Sequence, residues 1–159
     1  KDFSYNVLSA RVHSLRIYGY EYTGFFAHID SLQSYYETSM KLLNKDVLQS
    51  IFYSKTGPIY TKTKDSAPTK YCSGALVKNS LIANGCIIEG TVENSILFRD
   101  VRIGKNAVVK NSIIMQHGRI GDNAKLDSVI TDTYTFVNKD RVLLGYSSCP
   151  FFIKKNSVV

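Results

Sequence analysis

A chain of 159 residues with 44% apolar content is long enough to bury a core in one or two small domains. It holds no run of 18 apolar residues, which excludes a membrane-spanning helix. The net charge of +7 invites a nucleic-acid reading, but the 20 basic residues are scattered, only Lys154 and Lys155 are adjacent, and no nucleic-acid-binding motif is present. A phosphate-rich small ligand or an acidic partner subunit accounts for that charge without nucleic acid.

The chain opens on Lys1 with no signal-like segment, and it reads as a piece of a longer protein. Cys72, Cys86 and Cys149 make an odd count without CxxC spacing, the pattern of reduced, largely buried thiols in a cytoplasmic protein. Two runs rich in Tyr, Phe and Ile, Val12–Tyr20 and Tyr22–Ile29, have strand character. Asp30 or Ser31 then caps a helix, with Gln33 placed to reach back. Leu32, Tyr35, Tyr36, Met40 and Leu43 give that helix, residues 31–43, one apolar face. A shorter helical turn follows at Asp46–Phe52. Residues 54–71 carry Gly57, Pro58, Pro68 and four lysines without periodicity, which marks a linker with one short strand at Ile59–Thr63.

From Val77 to Ile130 one phrase returns four times: Val77-Lys-Asn-Ser-Leu81, Val92-Glu-Asn-Ser-Ile96, Val109-Lys-Asn-Ser-Ile113 and a degenerate Leu126-Asp-Ser-Val129. Apolar residues step at six and then five: Val77, Ala83, Ile88; Val92, Phe98, Ile103; Val109, Met115, Ile120. Two near-identical hexads, Ile103-Gly-Lys-Asn-Ala107 and Ile120-Gly-Asp-Asn-Ala124, set aliphatic or small residues at positions one and five. Gly and Asn tolerate the left-handed dihedrals of tight corners. Short strands joined by such corners bury a stripe and stack, so a mostly β, parallel β-solenoid is expected over residues 72–159.

The tyrosine-rich run, the phrase Ile29-Asp-Ser-Leu-Gln-Ser-Tyr-Tyr-Glu-Thr-Ser-Met-Lys-Leu-Leu43, the Pro-containing linker and the hexads together resemble the C-terminal part of bacterial glucose-1-phosphate adenylyltransferase, from about Val12 to Val159. The resemblance implies the last strands and helix of an α/β nucleotidyltransferase domain in residues 1–53, the linker 54–71, and a left-handed parallel β-helix of hexapeptide repeats in 72–159. The left hand comes from the resemblance alone, since the usual crossover rule favours the right. The parent reaction it implies joins ATP and glucose 1-phosphate to give ADP-glucose and pyrophosphate for glycogen, with magnesium as cofactor. Catalytic subunits of the family carry Asp-Val-Gly-Thr just before this helix, its aspartate helping to hold the metal. Here the aligned residues read His28-Ile-Asp-Ser31. An imidazole is a poor magnesium ligand, and Asp30, two residues along a strand, stands about 6.6 Å away. His28 thus takes the position of a lost magnesium ligand, similar to the GlgD-type second subunit, regarded as regulatory or structural.

The implied partners are a catalytic adenylyltransferase subunit, further copies of the chain itself and a phosphorylated small-molecule effector. Lys139, Arg141, Lys154 and Lys155 are the residues placed to meet that effector. The fragment itself carries no catalytic residue and no cofactor site on this reading, is expected to be inactive alone, and serves oligomerisation and allosteric regulation. A hexapeptide acyltransferase, or another sugar-phosphate nucleotidyltransferase of the same plan, stays open. In the acyltransferases a loop histidine acts as general base, but His117 lies in Met-Gln-His-Gly-Arg119, a corner that reads as solvated. Ser80, Ser95, Ser112 and Ser128 have no base spaced beside them and read as a stacked hydrogen-bonding ladder rather than nucleophiles. His13 carries no signal.

Overall fold

The computed structural model describes residues 2–53, 57, 59–60 and 64–159. Its short strands stack into three five-stranded parallel sheets, the three faces of a β-solenoid. The first sheet orders β1 (Lys70–Tyr71), β4 (Ile87–Ile88), β7 (Arg102–Ile103), β10 (Arg119–Ile120) and β13 (Phe136–Val137). The second orders β2 (Leu76–Lys78), β5 (Thr91–Glu93), β8 (Val108–Lys110), β11 (Lys125–Asp127) and β14 (Val142–Leu144). The third orders β3 (Leu81–Ile82), β6 (Ile96–Leu97), β9 (Ile113–Ile114), β12 (Val129–Thr131) and β15 (Phe151–Ile153).

Val77, Val92, Val109 and Leu126 align in register on the second sheet, and Val92 and Val109 are 0% exposed, so the inner stripe read from the repeat is correct at this edge. Ile88, Ile103 and Ile120 form the matching stripe on the first sheet. The third sheet differs from the six-then-five step. Its inward residues are Ile82, Leu97 and Ile114, one position before Ala83, Phe98 and Met115. The reason is that this sheet is buried on both faces: Ile96, Ile113 and Ile130 point outward and are covered by Tyr36 of the helix α1 (Leu32–Lys41). With both faces apolar, period-two alternation carries no inside–outside information.

The corners show why the hexads read as they do. Ile103 and Ala107 are both buried, but they flank a turn at Asn106, φ 55°, rather than lying along one strand. Asn79, Asn94 and Asn111 occupy equivalent left-handed corners at φ 44°, 46° and 45°. Asn79 Nδ2 donates to Asn94 Oδ1 at 2.8 Å, and Asn111 Nδ2 to Asp127 Oδ1 at 2.9 Å, so each side chain ties its corner to the next coil. The serine ladder forms beside them. Ser80 Oγ accepts from the Ser95 N–H, Ser95 Oγ from the Ser112 N–H and Ser112 Oγ from the Val129 N–H, each at 3.1 Å. Ser128 does not continue it. It sits at the asparagine position of its coil, φ 54°, because Leu126 is the register partner of Val109.

One corner between the first and second sheets is shorter than its equivalents in the other coils. Coils repeat at 17 residues, except where one step is 15 and where the last, from Val129 to Phe151, is 22 because extra residues around the Tyr146–Cys149 turn enter it. The two missing residues fall between Ile88 and Thr91, where Glu89 and Gly90 alone turn the chain. A Cβ on Gly90 would stand 2.3 Å from the Ala107 carbonyl oxygen, so the short corner closes only with glycine.

Outside the coils, Ser31 caps α1. Its Oγ accepts from the Ser34 N–H at 3.1 Å while the Ser34 Oγ accepts from the Ser31 N–H at 3.0 Å. The reciprocal partner is therefore Ser34, three residues beyond the cap, and not Gln33, which donates to Glu37 instead. Tyr36 is buried and its hydroxyl donates to the Asn111 carbonyl at 2.6 Å, pinning the helix to the solenoid. The helix α2 (Lys45–Phe52) follows, capped by Asn44, close to its expected span. Two expectations fail here. Val12–Tyr20 and Tyr22–Ile29 form no strands, and a π-helical segment, Ser4–Ser9, precedes them. A strand needs a ladder partner, none of the described strands pairs with this stretch, and Tyr18 and Tyr20 are left 84% and 89% exposed. In the expected strand Ile59–Thr63, Ile59 and Tyr60 carry no regular structure, and residues 61–63 lie outside the described residues, as do 54–56 and 58 of the expected linker. No described helix is long and apolar enough to cross a membrane.

Two substitutions test this packing by denaturant unfolding. Tyr36→Phe removes the hydroxyl that satisfies Asn111 and is expected to cost about 1–2 kcal/mol; no change would mean the helix is not pinned there. Thr131 stands in register with Ile114 and Ile153 and buries an Oγ1 that has no hydrogen-bond partner among the described residues. Thr131→Val should raise stability by about 1 kcal/mol, and a loss would show that the hydroxyl is satisfied in solution.

Candidate functional site

The residues singled out in the sequence do not gather at one place. His28 is exposed, in an irregular segment, with Nδ1 3.6 Å from Asp30 Oδ2. The strand geometry that would separate them by about 6.6 Å is absent, so the two side chains meet. The Ser34 hydroxyl, donating at 3.1 Å, is the main influence holding the Asp30 carboxyl below its usual range; burial opposes it, and Ser31 and His28 add to it. One imidazole and one carboxylate already engaged by a hydroxyl do not fit magnesium, which takes six oxygens in an octahedron. Among the described residues no group of three or more His, Cys, Asp or Glu gathers in a metal-binding arrangement.

The four basic residues divide into two pairs. Lys139 and Arg141 belong to the corner after β13, and Lys154 and Lys155 to the corner after β15, which lies over the start of β13. The pairs therefore flank the first sheet's last strand, Lys154 and Lys155 at the corner level with its start and Lys139 and Arg141 at the corner after it. All four side chains are exposed.

His117 is not the solvated corner expected. It is partly buried at φ 61°, its ring stacks on Tyr134 with centroids 4.6 Å apart, and its Nδ1 lies 3.7 Å from Asp100 Oδ2. Asp100, His117 and Tyr134 are the same left-handed corner in successive coils, which single-residue inspection of His117 misses and the 17-residue repeat reveals. Ser80, Ser95 and Ser112 donate to backbone carbonyls, whereas Ser128 Oγ donates to its neighbour's carboxylate, Asp127 Oδ1, at 3.1 Å. The three cysteines are free: Cys86 is buried, with burial pushing its thiol up, but Cys149 is exposed because it lies in the tight turn Tyr146–Cys149 outside the core.

A cleft of about 770 Å³ opens where α1 meets the coils, lined by Tyr36, Glu37, Met40, Lys41, Ser147 and Ser148 among others. On the second sheet a charge ladder runs outward: Glu93 takes Lys110 at 3.3 Å and Lys78 at 3.4 Å. Hydrogen bonding from Lys110, then from Lys78, holds the Glu93 carboxyl below the ordinary glutamate range. A depressed folded-state value gives stability that is present above the unfolded pKa and lost as pH falls through the lowered one. Glu93→Gln should therefore narrow the difference in Tm between pH 7 and pH 3; an unchanged difference would show the ladder contributes nothing.

Residues 67–148 match the family model described as GlmU-like, C-terminal hexapeptide. The glycogen biosynthesis protein GlgD of Bacillus subtilis (strain 168) is 49% identical over 145 residues, 91% of this chain and 42% of that protein. GlgD of Geobacillus stearothermophilus is 61% identical over 72 residues, 45% of this chain and 21% of that protein. A glucose-1-phosphate adenylyltransferase of Mycoplasma mobile is 34% identical over 110 residues, 69% of this chain and 29% of that enzyme. The chain spans less than half the length of each of these relatives.

Proposed function

The chain belongs to the GlmU-like, C-terminal hexapeptide family, and from that premise we propose that it is the C-terminal portion of a GlgD-type subunit of glucose-1-phosphate adenylyltransferase, acting in glycogen synthesis. The observation that carries this reading is the extent of the match to the Bacillus relative. It spans 145 residues, 91% of the chain, and so is not confined to the hexads. The work of this portion is assembly with a catalytic adenylyltransferase subunit, or with its own kind, and transmission of effector binding, in a cytoplasmic setting. Two features support that division of labour. Helix α1 is held to the third sheet by Tyr36, so movement of the helix is felt by the coils it covers. Among the described residues β14 and β15 are the last strands of their sheets, with exposed Val142, Leu144, Phe151 and Phe152, a surface another subunit can cover. A phosphorylated effector meeting the last coil engages Lys154 and Lys155, or Lys139 and Arg141, at separate corners.

The test uses the full-length subunit. It should co-purify with a catalytic adenylyltransferase and alter that enzyme's effector response, while forming ADP-glucose alone at a rate at least about 100-fold lower, the order of loss when one electrostatic group leaves an active site. Turnover alone comparable to the catalytic subunit and unchanged by His28→Ala would overturn the non-catalytic assignment. Failure to associate with any adenylyltransferase would overturn the assembly role.

A further inference from the structure

The outward faces of the first and second sheets carry charge in opposite ways. On the second sheet the register reads Lys78, Glu93, Lys110, Asp127, so every charge has an opposite one beside it in the next coil. On the first sheet it reads Ile87, Arg102, Arg119, Phe136. Arg102 and Arg119 are direct register partners, one strand spacing of about 4.8 Å apart, with an apolar residue above and below and no carboxylate in the row. Both are exposed, because Ile103 and Ile120 take the inward positions of the same strands. Among the described residues neither guanidinium has an ion pair or a hydrogen bond.

Adjacent like charges directly opposite on a sheet are destabilising, and this ladder does not relieve them internally. The nearest corner supplies a carboxylate, Asp100, but it is turned to His117 and lies against Gly85, within 2.1 Å of where a Cβ on that glycine would be. The arginines, Asp100, the stacked His117–Tyr134 pair and Thr135 surround a depression of about 550 Å³. Two guanidinium forks on neighbouring strands suit an oxyanion that accepts bonds from both, which a phosphate dianion does with its three terminal oxygens. The depression is several times larger than phosphate, and one wall is a flat pair of rings. We propose that Arg102 and Arg119, with the His117–Tyr134 wall, form a binding site for a small phosphate monoester, the arginines holding the phosphate and the rings lying against its body. This site is separate from the Lys154–Lys155 corner, and it does not depend on the glycogen reading.

The 159-residue chain is titrated calorimetrically, in a phosphate-free buffer at low ionic strength, with phenyl phosphate, inorganic phosphate and phenol. Phenyl phosphate should bind more tightly than inorganic phosphate, and phenol should not bind. Arg102→Gln and Arg119→Gln should each weaken phenyl phosphate by about tenfold or more, and Arg102→Lys should restore only part, since charge survives and the fork does not. Tyr134→Ala should weaken phenyl phosphate and leave inorganic phosphate within about twofold, since stacking acts on the body alone. Lys154→Gln with Lys155→Gln should change neither by more than about twofold, and circular dichroism confirms that each variant is folded. No binding by folded protein at 10-fold above the millimolar range, about 10 mM, would overturn the proposal. So would loss through the Lys154 and Lys155 changes with the arginine variants unaffected. Loss of association with an adenylyltransferase partner would leave this titration unchanged, so the two readings fail separately.

Discussion

Everything in the solenoid depends on closure: each coil must turn three corners and return in register, one strand spacing along. In L-residues that turn requires a left-handed backbone at a fixed place, and most of those places carry a side chain. Asn106, Asn123 and Asp140 hold φ 55°, 58° and 62° at one corner; Asp100, His117 and Tyr134 hold 59°, 61° and 58° at another. Such dihedrals cost on the order of 1–2 kcal/mol for a residue with a Cβ, less for Asn and Asp, whose side chains bond locally. The cost is offset across the stack. Asn123 Nδ2 donates to Asp140 Oδ1 at 2.9 Å, so a residue chosen for its backbone freedom also ties two coils together. Inward, the same closure brings Val92, Val109 and Leu126 into one buried column.

The repeat was legible because closure writes it into the sequence. The phrase Val-Lys-Asn-Ser marks a strand, its corner and the ladder hydroxyl, and the structure assigns each residue that role at Val109–Ser112. What could not be read there depends on contacts between distant segments. Nothing local says that α1 covers the third sheet, and so Leu97 and Phe98 could not be ordered as inside and outside. Ser128 looks like the fourth member of its series until the register of Leu126 is known. Strand propensity at Val12–Ile29 is real, but propensity without a ladder partner leaves an exposed, irregular chain. Candidate sites fared similarly. His117 stood out as a histidine, while its stacking partner Tyr134 and its neighbour Asp100 are 17 residues away in either direction.

The three faces have become chemically distinct although one repeat builds them all. The third is apolar and covered by a helix, the second alternates acid and base, and the first sets two arginines side by side. Inward strand positions, Thr131 apart, are aliphatic and fill the shared core, as the near-zero exposure of Ile103, Val109 and Ile114 shows. Outward positions answer to nothing in the core. A repeated scaffold thereby separates the residues that keep the fold from those that give it chemistry.

The short corner at Glu89–Gly90 shows where such a scaffold can change length. Two residues are missing there, yet Thr91 still pairs with Val108 and Ile88 with Ile103. Insertions and deletions are therefore absorbed between strands, at the corners, and do not propagate as a frameshift through the stack. A strand that gained one residue would reverse every side chain after it, whereas a corner that gained ten would extrude a loop and leave the coils in phase. The corners are thus the hinge points of divergence, free to lengthen toward a new partner while the sheets keep count.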